Sequence, residues 1–146
     1  MSTPKKELAV AALKNGTVID HIPADALFEV VRLLQLADSA MQLTIGNNLP
    51  SSRGGRKGII KVADTEFAES TLNRIALIAP TAKINIIRDY EVIEKRNVEL
   101  PETLIDVVKC NNPKCITNNE PMSTRFEIVS RDPVKIRCHY CGHTQL

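Results

Sequence analysis

Apolar and polar positions follow two different rhythms along this chain, and the rhythm changes near residue 100. Thr17-Val18-Ile19-Asp20-His21-Ile22-Pro23 is rich in β-branched residues and ends on proline, which predicts a strand. The preceding Glu7 to Leu13 suits either an extension of that strand or a short helix. After Pro23, the apolar residues Leu27, Val30, Val31 and Leu34 recur at helical spacing and predict a helix over Ala24 to Leu36. Gln42 to Leu49 reads as a second strand, Pro50 to Gly58 as a flexible connection, and Ile59 to Ala63 as a third strand. Thr65 is placed to N-cap a second helix with Phe67, Leu72, Ile75, Ala76 and Ala79 inward, stopped at Pro80. Ala82 to Arg88 and Glu91 to Lys95 predict two more strands, bent at Asp89-Tyr90.

The resulting order, β-α-β-β-α-β with one extra short strand, is the split βαβ pattern. It predicts an α+β chain whose N-terminal domain, residues 1–99, is ferredoxin-like: an antiparallel sheet with two helices on one face. Its edge strands can pair with a second copy. Residues 100–146 carry every cysteine and little helical pattern, with strands expected at Phe126 to Val129 and Val134 to Arg137. This predicts a small all-β C-terminal domain whose core is too small to stand without a metal.

Composition narrows the classes. The chain has 146 residues, 43% hydrophobic, with no Trp and 3% aromatics, so Ile, Val, Leu and Ala must build the core. A net charge of +2 is too weak to make nucleic acid the expected partner. No apolar run approaches the roughly 18–20 residues of a membrane span, and MSTPKKELAV has no secretory pattern. A cytoplasmic protein with reduced thiols is therefore expected.

The strongest chemical signal is Cys110-x4-Cys115, then 22 residues, then Cys138-x2-Cys141. Short spacings let one turn present two thiolates, and the long gap supplies a hairpin that returns the second pair. Such a set predicts one structural Zn2+ ion held by all four cysteines, with no open position for a catalytic water. His139 and His143 are surplus to that set. Asp20-His21 alone is weak evidence for acid–base catalysis, since consecutive strand residues point to opposite faces. A ligand pocket is the alternative, with Asp20 accepting from an amine or hydroxyl and His21 meeting an anion. Gly54-Gly55-Arg56-Lys57-Gly58 lacks the spacing of a Walker A loop. Lys57, Lys61 and Lys95 bring positive charge near neighbouring strand ends. Two rival functions are a zinc-ribbon nucleic-acid binder using Lys109, Lys114, Arg125, Arg131, Lys135 and Arg137, and a small enzyme built on Asp20 and His21. Interleaved acids and scarce aromatic platforms count against the first, and no common catalytic motif supports the second.

Several short runs together resemble one family. They are Lys14-Asn15-Gly16-Thr17-Val18-Ile19-Asp20-His21-Ile22-Pro23, Thr44-Ile45-Gly46, Gly55-Arg56-Lys57, Ile60-Lys61, Asn85, Asp89-Tyr90-Glu91-Val92 and Cys110-Asn111-Asn112-Pro113-Lys114-Cys115-Ile116. From about Leu8 to Cys141 the chain resembles the regulatory chain of aspartate carbamoyltransferase. The resemblance implies a non-catalytic subunit that forms homodimers and bridges trimers of the catalytic chain in pyrimidine biosynthesis. It implies that CTP, UTP and ATP bind the N-terminal domain and that the zinc domain touches the catalytic chain. Base and ribose would lie around Val10, Ala11, Leu13, Asp20, Lys61, Asn85, Ile87, Tyr90 and Val92. His21 and Lys95 would meet phosphates, and Lys57 a neighbouring second nucleotide. Ala11 stands where the family commonly has glutamate.

Overall fold

The computed structural model describes residues 12–52 and 54–146. They fall into two units, one ending at Glu99 and the other spanning Leu100–Leu146. The first unit runs β1 (Gly16–Pro23), α1 (Leu27–Leu33), β2 (Leu43–Pro50), β3 (Arg56–Ala63), α2 (Glu69–Arg74), β4 (Lys83–Arg88) and β5 (Glu91–Asn97). The strands form one sheet in the order β2-β3-β1-β4-β5, antiparallel at every step. This is the expected ferredoxin-like arrangement, with β5 as an additional edge strand. The helical crossovers join β1 to β2 and β3 to β4, parallel strands of this sheet, and the right-handedness general to such connections places both helices on one face.

Burial shows which face carries the core. Ile19, Ile22, Ile60, Val62 and Ile84 are almost fully buried, together with Leu27 and Val30 of α1 and Leu72 of α2. α1 packs close to the sheet because Gly58 has no side chain there. A Cβ at that position would lie 2.6 Å from Leu27 Cδ1.

Both helices are shorter than their apolar spacing predicts. The chain after Pro23 first makes a turn, in which the Ala26 N–H donates to the Pro23 carbonyl at 2.9 Å. α1 then stops ahead of Gln35, whose φ of +55° breaks the helical path. Thr65 does not cap α2. Its hydroxyl donates to Ala63 O at 2.9 Å, its carbonyl accepts from Thr17 Oγ1 at 2.6 Å, and the helix begins after Ala68. Arg56, Lys57 and Gly58 belong to β3 rather than to a flexible connection. Of the ambiguous Glu7 to Leu13 segment, residues 7–11 lie outside the described residues, and Ala12 and Leu13 are in neither helix nor strand.

The predicted bend at Asp89-Tyr90 is a two-residue hairpin turn with φ of +51° and +67°. Two consecutive positive φ values suit the right-handed twist of the flanking strands. Its tip is fastened to the start of β1: Tyr90 N–H donates to Lys14 O at 2.9 Å, and Asp89 N–H to Asn15 Oδ1 at 3.1 Å.

The second unit is a sheet of β6 (Thr103–Ile105), β7 (Arg125–Arg131), β8 (Val134–Cys138) and β9 (Thr144–Gln145), antiparallel in that order. β6 and β9 are too short for an alternation to announce them. Apart from three of the cysteines, only Leu104, Phe126 and Ile136 are buried apolar side chains here. Among the described residues no helix is long and apolar enough to cross a membrane.

Candidate functional site

The face of the first sheet away from the helices is polar, and the strand register explains which residues share it. Val18 sits between Lys61 on β3 and Asn85 on β4, with Thr44 and Lys95 extending the row to the outer strands. Directly opposed residues lie on the same face, so Lys61, Asn85 and Lys95 are neighbours across the sheet.

Asp20 and His21 reach this face through a bulge. β1 pairs with β3 at Ile19↔Ile60 and next at Ile22↔Gly58, so two residues of β1 oppose only Ile59. Ile19 and Ile22 are both fully buried. The extra residue therefore takes both Asp20 and His21 away from the core, with His21 in the left-handed region at φ +58°. This corrects the expectation that adjacent strand residues must point oppositely, which holds only for unbroken pleating. Asp20 Oδ1 accepts the His21 N–H at 2.7 Å and pairs with Lys57 Nζ at 2.8 Å. Lys61 is held below the usual lysine range by burial, an effect opposed by the negative charge of Asp20.

The residues singled out in sequence are distributed over several shallow depressions rather than gathered in one pocket. Leu13, Lys61 and Tyr90 line a cavity of about 250 Å³, together with Gln42 and Thr44. His21 and Lys57 border a second of about 220 Å³, beside Ser51, Arg56 and Thr81. Asn85 and Lys95 line a third of about 190 Å³ with Lys83 and Arg96. Ile87 borders a fourth of about 260 Å³ with Asn15 and Arg88. Val92 is exposed opposite Ile87 on β5. Val10 and Ala11 lie outside the described residues. Gln42 and Thr44 were missed in the sequence, and the signal for Thr44 was its register opposite Lys61.

In the second unit the four cysteine sulfurs converge within 4.8 Å of one another. Cys110 and Cys141 Sγ are 3.6 Å apart, and Cys115 and Cys138 Sγ 3.7 Å. A disulfide needs about 2.05 Å, so these are not bonded pairs. A tetrahedral ion with metal–sulfur bonds of about 2.3 Å spaces its ligands about 3.8 Å apart, which this set matches. His139 takes no part: its Nδ1 lies 3.2 Å from Glu127 Oε1.

The local chain prepares half of these thiols for ionisation. Burial pushes Cys110 up to about 12 and also raises Cys138. The Thr117 hydroxyl lowers Cys115, and the His143 backbone N–H lowers Cys141 to about 7. Burial thus makes Cys110 and Cys138 reluctant to lose their protons without a cation, while local hydrogen bonds ease that loss for Cys115 and Cys141.

Side-chain amides hold the first cysteine loop in shape. Asn118 Nδ2 donates to the carbonyls of Cys110 (2.9 Å) and Asn112 (2.7 Å), and Asn119 Nδ2 to that of Cys115 (2.8 Å). The second pair is shaped by its own turn, where Gly142 N–H bonds Cys138 O at 2.9 Å and Gly142 adopts φ +77°. Among the basic residues of this unit, Arg131 is taken up by Leu100 O at 2.7 Å, and Arg125 Nε lies 3.5 Å from Glu127 Oε2.

Fold and thiol cluster together define a two-domain α+β chain that ends in a four-cysteine metal-binding module. The sequence model described as "Aspartate carbamoyltransferase regulatory chain, allosteric domain" matches residues 8–99, and that of the "metal binding domain" matches residues 102–145. The chain belongs to the aspartate carbamoyltransferase regulatory chain family. The protein of that name from Phocaeicola vulgatus is 57% identical over 145 residues, covering 99% of this chain and 94% of the relative. The Porphyromonas gingivalis protein is 58% identical over 137 residues, covering 94% and 91%. The Pyrococcus abyssi protein is 47% identical over 140 residues, covering 94% and 92%. The family resemblance in the sequence is thereby borne out.

Proposed function

We propose that this chain is a non-catalytic subunit that senses nucleotides through its first unit and docks on the aspartate carbamoyltransferase catalytic chain through its second. CTP, UTP and ATP are the effectors, and the regulatory chain pairs with a second copy of itself. The observation that carries the nucleotide reading is the bulge, which sets Asp20 and His21 on the same polar sheet face as Lys61, Asn85 and Lys95. A carboxylate suits a ribose hydroxyl, and flanking cations suit a triphosphate. Leu13, Tyr90 and Val92, with Val10 and Ala11, supply apolar and backbone surface for the base. Ile87 floors the face, His21 and Lys95 meet phosphates, and Lys57 serves a neighbouring nucleotide.

In the second unit the proposed ion is Zn2+, held by Cys110, Cys115, Cys138 and Cys141. All-sulfur tetrahedral coordination suits zinc, and a filled shell assigns it a structural role. The ion orders the small sheet that would grip the catalytic chain. Regulation follows only if a nucleotide favours one arrangement of the assembly over another.

The test titrates CTP and ATP into the full chain, then repeats the aspartate saturation of catalytic trimers with this chain present. Asp20→Asn and Lys95→Ala should each weaken nucleotide binding about tenfold or more, the scale of one charge-assisted hydrogen bond. Wild-type affinity in both variants would remove the proposed site. Failure to form a complex with the trimers, with activity unchanged, would remove the regulatory role.

A further inference from the structure

Gln145 is a buried polar residue on the shortest strand of the second unit, only 8% exposed. Its side chain reaches the chain on both sides of Cys110. Oε1 accepts the Asn111 N–H at 2.9 Å, and Nε2 donates to Lys109 O at 3.0 Å. The partners fix the amide's orientation, since a backbone N–H can only donate and a carbonyl can only accept. One side chain thus imitates a strand's two-point pairing and clasps the backbone around a single metal ligand.

The same short segment grips the other cysteine pair. Gln145 and Thr144 pair with Ile136 and Arg137 of β8, immediately before Cys138. The His143 carbonyl accepts the Cys138 N–H at 2.8 Å. The two cysteine pairs differ in what shapes them. Cys138 and Cys141 are held by their own tight turn, whereas Cys110 begins a longer loop whose entry is fixed from outside by Gln145 and Asn118.

We infer that Gln145 is a positioning residue for the metal: its amide latches Cys110 into the cluster and makes that ligand the last to leave rather than the first. The inference rests on the four-cysteine reading of this unit. Its geometry adds a hierarchy among the ligands, with the Cys138–Cys141 pair set locally and Cys110 dependent on amides from outside its own turn. Outer-shell hydrogen-bond partners of this kind commonly govern metal affinity by ten- to a hundredfold.

The experiment uses the full chain loaded with zinc, its release followed with a colorimetric chelator. A thiol-alkylating reagent quenched at intervals, with mass spectrometry, gives the order in which cysteines become reactive. Gln145→Met keeps the volume and loses both hydrogen bonds, while Gln145→Ala loses both volume and bonds. Both variants should release zinc at least tenfold faster than wild type, with Cys110 labelled ahead of Cys138 and Cys141. Wild-type release from Gln145→Met overturns the latch, even if Gln145→Ala is fast, because packing then accounts for the effect. Simultaneous labelling of all four cysteines in Gln145→Met overturns it as well, since that reports general unfolding. A wild-type chain that retains no zinc would overturn the metal reading itself and the latch with it, whereas a zinc-loaded wild type indifferent to Gln145 would overturn the latch alone.

Discussion

The two units of this chain solve the same problem with different materials. The first buries a continuous set of branched aliphatic side chains, among them Ile19, Ile22, Ile60, Val62 and Ile84, between a five-stranded sheet and its helices. The second buries only three apolar side chains besides cysteine, Leu104, Phe126 and Ile136, and converges four thiols where a core would otherwise be. Burial is non-directional and spread over many residues, so it tolerates change by degrees. Ligation is directional and concentrated in four atoms, so the loss of any one ligand weakens the whole set. The difference teaches where each unit is vulnerable.

Metal removal should separate them most sharply. With a strong chelator and reductant, the amides of β7 and β8 should lose hydrogen-exchange protection while those of β1, β3 and β4 keep theirs. Structural zinc of this type contributes about 10 kcal/mol or more to folding its domain. Retained protection in β7 and β8 would show that the three apolar residues suffice.

Acid should act next, again on the second unit. The metal-bound cysteines carry no protons, whereas the metal-free thiols bind them, so metal retention rises with pH and falls as pH drops. Cys110 at about 12 and the raised Cys138 are protonated across the physiological range when metal-free, and Cys141 joins them as pH falls through about 7. Binding must displace every proton the metal-free thiols hold, so below that point apparent zinc affinity should fall steeply with pH, by about tenfold per displaced proton for each unit. Competition titrations between pH 8 and 5.5 would read this slope, and a flat profile would contradict it.

Ile60→Ala sharpens the comparison from the other side. A fully buried isoleucine cut to alanine costs about 2–5 kcal/mol, so urea unfolding of the first unit should shift to a lower midpoint. Zinc release from the second should be unchanged. A faster release would mean that the units share their stability.

Most of the first unit was legible in the sequence because its strands alternate and its apolar residues recur. The helix ends were not, because they depend on competing hydrogen bonds. Thr65 has the chemistry of an N-cap, but its hydroxyl and carbonyl are both committed to strand partners, Ala63 and Thr17. The cysteine cluster was legible from spacing alone. The amides that shape it were not: Gln145 lies 36 residues beyond the Lys109 carbonyl it binds, and no local pattern connects them. Asp20 and His21 were noticed as a pair, but their shared face could not be read from periodicity, because the bulge interrupts that period.

That bulge also sets a constraint on length. Ile19 and Ile22 are three positions apart, so unbroken pleating would turn them to opposite faces, and both face the core only because the bulge sets two residues opposite Ile59. Deleting Asp20 or His21 would restore regular pleating and leave both isoleucines in place, so the fold would survive the loss. What would vanish is one of two polar side chains on the face of the sheet away from the helices. Chain length is usually free to drift in loops and fixed in strands by stability. Here a strand's length is set one residue longer than the fold requires, and the surplus residue belongs to the polar face proposed to meet the nucleotide.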